Sequence, residues 1–435
     1  MAAVGGQPKL MQELQAVSGR PSLFYGWWLV LVTLITQGVG AGIINFSYSV
    51  MVVPLEQEFH ASRFEMMLGI TCCLVFSSLL APWLGPKADR GSMRTLMATG
   101  VTFLALGFGV MSFATAVWQV VLCYAAFMSV AQLLLGPLTA STLVTRWFTT
   151  RRGTALGIAA MGTPLGGFLF PPLMQYFITA FDWRMASRLA AVIALVVTLP
   201  PVWLLVVNRP GDKGLDPEGG DAPPPASVHA ASGGQLTARS VLQRQDFWAI
   251  ILPVGVSLAV LTAVMNNMVP YALGEGLTLS QATGLIAIVA VSTMVGNLLF
   301  GVIADRMDLR LALAVSIVCV CVALVVFRSG HSVWPLRVAT LVFGASAGGI
   351  VPLWSAMVGR VFGAENFGRV RGLMSPVLMP MTMVASPLAG FIFDQTRSYQ
   401  MVFDIFIVAL ALSAVLLTGL PRMGYHPIAS RPRMP

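Results

Sequence analysis

Apolar runs of about twenty residues, separated by short polar stretches, recur along the whole chain. A helical run of about that length crosses the ~30 Å hydrocarbon core of a bilayer. The pattern predicts twelve spanning helices, over 27–53, 65–84, 95–114, 117–144, 154–178, 184–207, 247–272, 281–303, 311–327, 334–358, 368–392 and 399–420. An even number places both ends of the chain on one side. The first run is too long for the apolar region of a cleavable leader and follows a polar stretch, so it reads as a spanning helix. Between the sixth and seventh helices the pattern stops. Residues 208–246 are rich in Pro, Gly and charge and are expected to be a flexible connector, because they cannot bury enough apolar area to fold alone. The organisation that follows is a tail over 1–24, a six-helix half over 25–207, a linker over 208–246, a second half over 247–420 and a tail over 421–435.

Composition agrees. The chain is 57% hydrophobic and only 10% charged, where a soluble domain carries about 25% charge. The five cysteines all fall inside apolar runs, as small buried hydrophobes do, rather than in a disulfide or metal set. A net charge of +9 raises the question of nucleic acid, but the distribution answers it. Twenty of the 26 Lys and Arg residues lie on the tails and the even-numbered connections, and six on the other face. Such a bias orients a membrane protein with both termini in the cytoplasm, so no nucleic-acid partner is expected. With no His-Glu-x-x-His, no histidine within a span and no phosphate-binding loop, neither an enzyme, a metal site, a cofactor nor an ATP-driven pump is expected.

One motif recurs. Gly85-Pro-Lys-Ala-Asp89-Arg90-Gly-Ser-Met-Arg94 reappears 216 residues later as Gly301-Val-Ile-Ala-Asp305-Arg306-Met-Asp-Leu-Arg310. Each copy joins two apolar runs. Arg146-Trp-Phe after the fourth helix answers Arg360-Val-Phe after the tenth, and Arg188 and Asp404 stand at the same 216-residue spacing. Two related six-helix halves account for the repeat economically.

The doubled Gly-x-x-x-Asp-Arg motif and the twelve-helix layout resemble the major facilitator superfamily over about Tyr25 to Leu420. The resemblance implies an all-α polytopic membrane protein, with twelve transmembrane helices in two pseudo-symmetric halves that work by alternating access. The glycine usual three places after the aspartate is Ser92 in one copy and Asp308 in the other. A carboxylate at this position can accept from unpaired amides at a helix N-terminus and from a nearby arginine. The resemblance makes Asp89 and Asp305 a latch closing the cytoplasmic side, with Arg146, Arg151 and Arg152 as partners in one half and Arg360, Arg369 and Arg371 in the other. A narrower similarity is to the monocarboxylate and oxalate/formate exchanger branch. It rests on Phe24-Tyr-Gly26-Trp27-Trp28, on Arg146-Trp147-Phe148-Thr-Thr-Arg151-Arg152-Gly153 and on Asp246-Phe247-Trp248. That branch carries an arginine in the eighth helix where this chain has Asn297, and its oxalate carriers a lysine in the eleventh where this chain has Met374. Asn297 can still donate hydrogen bonds to a carboxylate.

Neutral polar residues gather in the helices that the resemblance places around a central cavity. They are Gln37, Asn45 and Tyr48 in the first helix, Gln132 and Thr139 in the fourth, Asn266, Asn267 and Tyr271 in the seventh, and Trp354 and Ser355 in the tenth, where the charged Arg337 opens the helix and either snorkels or serves as a substrate or gating residue. Facing lipid would be costly for them, so they point to a watery interior or serve as interhelical glue. Glycine and proline crowd the fifth and eleventh helices, which suits rocking halves. The expected protein is a monomeric secondary carrier of a bacterial inner membrane. Its partner is a small organic solute, a monocarboxylate or related anion by branch resemblance, moved with a proton or against a counter-anion. Two alternatives stand beside this: an efflux carrier whose 24 methionines form an adaptable pocket for a drug-like compound, and a membrane sensor built on a transporter scaffold.

Overall fold

Twelve apolar helices account for most of the computed structural model, which describes residues 24–218, 236–329 and 333–417. The predicted tails, the middle of the predicted linker and the 418–420 end of the last predicted helix lie outside the described residues. The first half comprises α1 (Gly26–Phe59), α2 (Arg63–Arg90), α3 (Met93–Met111), α4 (Val117–Trp147), α5 (Arg152–Ala180) and α6 (Trp183–Leu205). The second comprises α7 (Gln245–Gly274), α8 (Leu279–Arg306), α9 (Leu309–Ser329), α10 (Val333–Phe362), α11 (Phe367–Thr396) and α12 (Gln400–Leu416). Eleven of these are long and apolar enough to cross a membrane, and the described part of α12 is a shorter apolar helix of 17 residues.

The repeat extends into the helix caps. The Ser62 hydroxyl accepts from the Glu65 amide while the Glu65 carboxylate accepts from the Ser62 amide, opening α2. Thr278 and Gln281, 216 residues on, open α8 with the same reciprocal pair. Ser92 and Asp308 are caps too. The Ser92 hydroxyl accepts from the Thr95 amide at the start of α3, and the Asp308 carboxylate accepts from the Arg310 amide at the start of α9. The polar residues standing where the family pattern has glycine therefore start the next helix. The signature itself is not a connection. Gly85–Arg90 and Gly301–Arg306 form the last turns of α2 and α8, each extending the predicted helix by six residues or fewer.

Within each half, helices meet at bare backbone. A Cβ on Gly166 of α5 would strike the Gly38 carbonyl of α1, and one on Gly296 of α8 would strike the Ala345 carbonyl of α10. The entry motif and the fourth-to-fifth helix motif pack on each other: the Trp27 and Phe148 rings lie 4.9 Å apart, Tyr25 and Trp147 5.6 Å, and Phe24 and Phe148 5.6 Å. These residues build a corner of the bundle. α4 breaks at Gly136, whose extended backbone precedes Pro137 at the start of a new helical segment.

The described ends of the linker rest on the bundle. Lys213 stands 3.7 Å over the Tyr25 ring. The Glu218 amide donates to the Trp147 carbonyl, and its own carbonyl accepts from the Thr149 and Thr150 amides. On the other side, the Leu236 amide donates to the Asn366 side chain, and its carbonyl accepts from Arg369. This side of the bundle is called the linker face below.

Because a main-chain carbonyl cannot step aside as a side chain can, Gly296→Leu should destabilise the protein by about 2 kcal/mol or more. The thermal unfolding midpoint of the detergent-solubilised protein should fall by several degrees. Gly109→Leu, where nothing lies within 4 Å of the added Cβ, should leave it unchanged or raise it.

Candidate functional site

The first amides of an α-helix have no partner within the helix and carry the positive end of its dipole. Both signature aspartates use this property, and both reach across to the other half. Asp89, at the end of α2, takes the Gly368 amide on Oδ1 at 2.7 Å and the Arg369 amide on Oδ2 at 2.8 Å, at the start of α11. Asp305, at the end of α8, takes the Gly153 amide on Oδ1 at 2.6 Å and the Thr154 amide on Oδ2 at 2.8 Å, at the start of α5. The Thr154 hydroxyl adds a third bond to Asp305 at 2.7 Å. Asp89 is 8% exposed, so its charge depends on these donors. Glycine lets the backbones come this close: a Cβ on Gly85 would collide with the Gly368 carbonyl, and one on Gly301 would sit 2.7 Å from the Gly153 carbonyl.

The arginines have a different task from direct pairing. Arg146 donates to the Ala88 and Asp89 carbonyls at 2.5 and 2.6 Å and so caps the C-terminus of α2. Arg152 donates to the Phe148 carbonyl at 3.0 Å, just beyond the end of α4. Arg94 ties α3 to the Val206 carbonyl at 3.0 Å after α6. Arg310 holds Asp308 at 3.2 Å, and Arg151 approaches Glu218 at 3.9 Å. Arg360 lies partly buried at the end of α10, while Arg90 and Arg306 are exposed. Arg146 and Arg152 brace helix ends, and main-chain amides hold Asp89 and Asp305.

Arg371 stands apart from this set. The sequence groups it with the latch partners, yet it lies in the second turn of α11, is 4% exposed and faces inward. Its guanidinium donates to the Ser355 hydroxyl at 2.5 Å and stacks 3.7 Å over the Trp354 ring. Ser355 Oγ is 3.4 Å from Ser141 Oγ of α4, across the boundary between the halves. Trp354 Nε1 donates to Met374 Sδ at 3.1 Å. Among the described residues, no carboxylate lies within 4.0 Å of Arg371. The signal for it was present in the sequence: Arg371 precedes Met374, the position compared with a branch lysine, by one helical turn.

The other candidates spread over several places. Gln37 donates to the Ala159 carbonyl at 2.8 Å, and Asn297 to the Ala160 carbonyl at 3.5 Å, so both meet the middle of α5. Tyr48 donates to the Met66 carbonyl and packs edge-on against Tyr124 at 4.7 Å. Gln132 accepts from Cys73 at 3.6 Å. Asn45 is partly buried in a π-helical turn, Gly42–Phe46, within α1. Thr139 donates to the Leu134 carbonyl at 2.6 Å beside the α4 break. Asn266 donates to Ser386 at 2.8 Å. Asn267 accepts from Tyr399 at 3.3 Å, and Tyr271 donates to the Phe327 carbonyl at 2.5 Å, around a gap of about 10 Å³. That gap is about the size of one water and too small for an organic solute. Arg337 stands 5.3 Å from the Trp334 ring in the first turns of α10. The run Gly344-Ala-Ser346-Ala-Gly348 fits the Gly-x-Ser-x-Gly pattern of hydrolases, but it lies in mid-helix, where Ser346 donates to the Val342 carbonyl. It is a packing stripe against α8 rather than a strand-to-helix nucleophile turn. Among the described residues no group of three or more His, Cys, Asp or Glu could hold a metal ion.

Comparison with known proteins adds the relatives. The family model described as Major Facilitator Superfamily matches residues 35–377 and 276–433. The chain is 24% identical over 414 residues to human monocarboxylate transporter 11, covering 93% of this chain and 85% of that protein. It is 21% identical over 410 residues to the MFS-type transporter YcxA of Bacillus subtilis, covering 89% and 94%. Among solved structures it resembles the transporter FucP in the outward conformation, with a TM-score of 0.68 at 16% identity over 90% of this chain and 98% of that one. A bacterial homologue of ferroportin in an outward-facing state gives a TM-score of 0.69 at 16% identity, covering 91% and 99%.

Each carboxylate bond to a helix-start amide is charge-assisted, so its loss should favour separation of the halves on the linker face. Asp89→Asn should raise the labelling rate of a cysteine placed at Ser141 by about fivefold or more, consistent with losing 1 kcal/mol or more of charge-assisted bonding. Membrane-impermeant thiol reagent applied to the linker face, in a background lacking the native cysteines, measures this. Unchanged labelling would remove the latch.

Proposed function

We propose that this chain, which belongs to the Major Facilitator Superfamily, carries a small organic anion, with monocarboxylates as the favoured class, by alternating access. The chain is a membrane transporter, not an enzyme. The observation that carries the mechanism is the crossed pair of caps: α2 of one half holds α11 of the other, and α8 holds α5. The halves are thus joined on the linker face by two compact caps that can release together. The Lys and Arg bias orients the linker face to the cytoplasm, so the arrangement corresponds to a carrier closed on its cytoplasmic side.

The substrate class rests on kinship. Relatives named monocarboxylate transporters match over most of the chain, and the motifs around Trp27 and Trp147 resemble those of that branch. An anion entering against an interior-negative potential pays about 2.3 kcal/mol per charge per 100 mV. A proton moving with it, or a counter-anion moving against it, removes that cost. We place the protein in a bacterial inner membrane as a monomer, with both termini cytoplasmic.

Proteoliposomes offered labelled lactate, pyruvate, oxalate, an aromatic acid and a lipophilic cation provide the test. Saturable uptake of at least one acid is expected, stimulated by an inward proton gradient or by unlabelled acid inside. Transport of the cation alone would overturn the anion reading in favour of an exporter of drug-like compounds.

A further inference from the structure

We infer that Arg371, together with Ser355 and Ser141, is an anion-recognition point that the carrier exposes only when its linker face opens. The inference rests on the reading of the solute as an organic anion and assigns that anion a specific contact.

A buried charge ordinarily has an opposite charge beside it, because removing an ion from water is costly. Arg371 is 4% exposed, and its described surroundings supply one hydroxyl, on Ser355, and one aromatic face, on Trp354. A guanidinium has five N–H donors in a planar fork that matches the two oxygens of a carboxylate. The site is therefore short of one negative, bidentate partner. Trp354 and Met374, held together by the indole N–H, add an apolar wall beside it. The ligand that fits is a carboxylate with a small apolar body.

Helix packing does not demand this charge. The two caps align Gly153 with Gly368 and Thr154 with Arg369. The same register aligns Arg371 with Leu156, which is 3% exposed in the first half. A leucine fills the equivalent place there. Orientation does not demand it either, since Arg90 and Arg306 on the same face are exposed, as an orienting cation should be.

Position ties the arginine to the transport cycle. It lies one turn beyond the amides held by Asp89, on the helix that the cap releases. Its anchor Ser355 meets Ser141 of the opposite half at 3.4 Å. Parting of the halves on the linker face breaks that contact and uncovers the guanidinium. In the closed arrangement the hydroxyl pair and Trp354 cover it.

The test is sided. Wild type, Arg371→Gln, Arg371→Lys and Ser355→Ala are reconstituted in vesicles of known orientation, and labelled lactate and pyruvate exchange is measured with the acid varied on one face at a time. Arg371→Gln should raise the half-saturation concentration on the linker face by about tenfold or more while leaving that on the opposite face within about twofold. Arg371→Lys, which keeps the charge but loses the fork and the stack on Trp354, should recover only part of the affinity. If Arg371→Gln does not reach the membrane, Ser355→Ala should still give a linker-side rise of about threefold. An unchanged linker-side value in the variants, or equal rises on both faces, would overturn the assignment while the carrier remains an anion carrier. Wild type that transports none of the acids would overturn the anion reading itself, and this inference with it.

Discussion

Everything on the linker face follows from carboxylates capping helices that belong to the opposite half. A carboxylate can reach the first amides of a helix only if the two helices approach almost to backbone contact. That requirement explains why Gly85 faces Gly368 and Gly301 faces Gly153. It also explains why Arg146 must hold the end of α2 by its carbonyls, since a frayed last turn would not aim Asp89. Each charge-assisted bond contributes about 1.5–3 kcal/mol net of the water it replaces. A swing of a two-state equilibrium from 1:99 to 99:1 needs about 5.5 kcal/mol, so the two amide bonds of one cap are of a size that biases such an equilibrium.

Much of the fold was legible because the bilayer imposes a length on every span and the repeat imposes a spacing. The doubled signature, and the polar residues at 92 and 308, stood in plain view at a 216-residue interval. Periodicity does not reveal which helix start will face which helix end across the halves. The amides of Gly153 and Gly368 carry no side-chain signature, so arginines nearby were the visible partners. The helical character of Gly85–Arg90 was hidden for a related reason. Its charges look like those of a connection, yet Arg146 satisfies the carbonyls that would otherwise end the helix earlier.

Depth was the other illegible quantity. Arg371 follows Arg369 by two residues, and both read as charges of one connection. The helix turns them to opposite environments: Arg369 reaches out to the linker at Leu236, and Arg371 reaches in to Ser355. For the neutral residues, composition cannot separate glue from lining. Gln37 and Asn297 settle on carbonyls of α5, which joins helices, whereas Trp354 and Ser355 converge on the buried cation. The linker ends make a further junction. Glu218 seats on the residues just before α5, and Leu236 on those at the start of α11, the two helix starts that the aspartates hold.

Apart from the Thr154 hydroxyl, the donors in both caps belong to the main chain. Changing a side chain does not delete an amide unless the new residue is proline. Inheritance can therefore vary the side chains at 154 and 369 for linker contacts or folding without removing these amides, whereas Gly368 has no room for a Cβ beside the Gly85 carbonyl. The acids are different, because each is the sole acceptor on its side. Heritable change in the proposed latch has few places to act, and they lie almost wholly at Asp89, Asp305 and the glycines beside them.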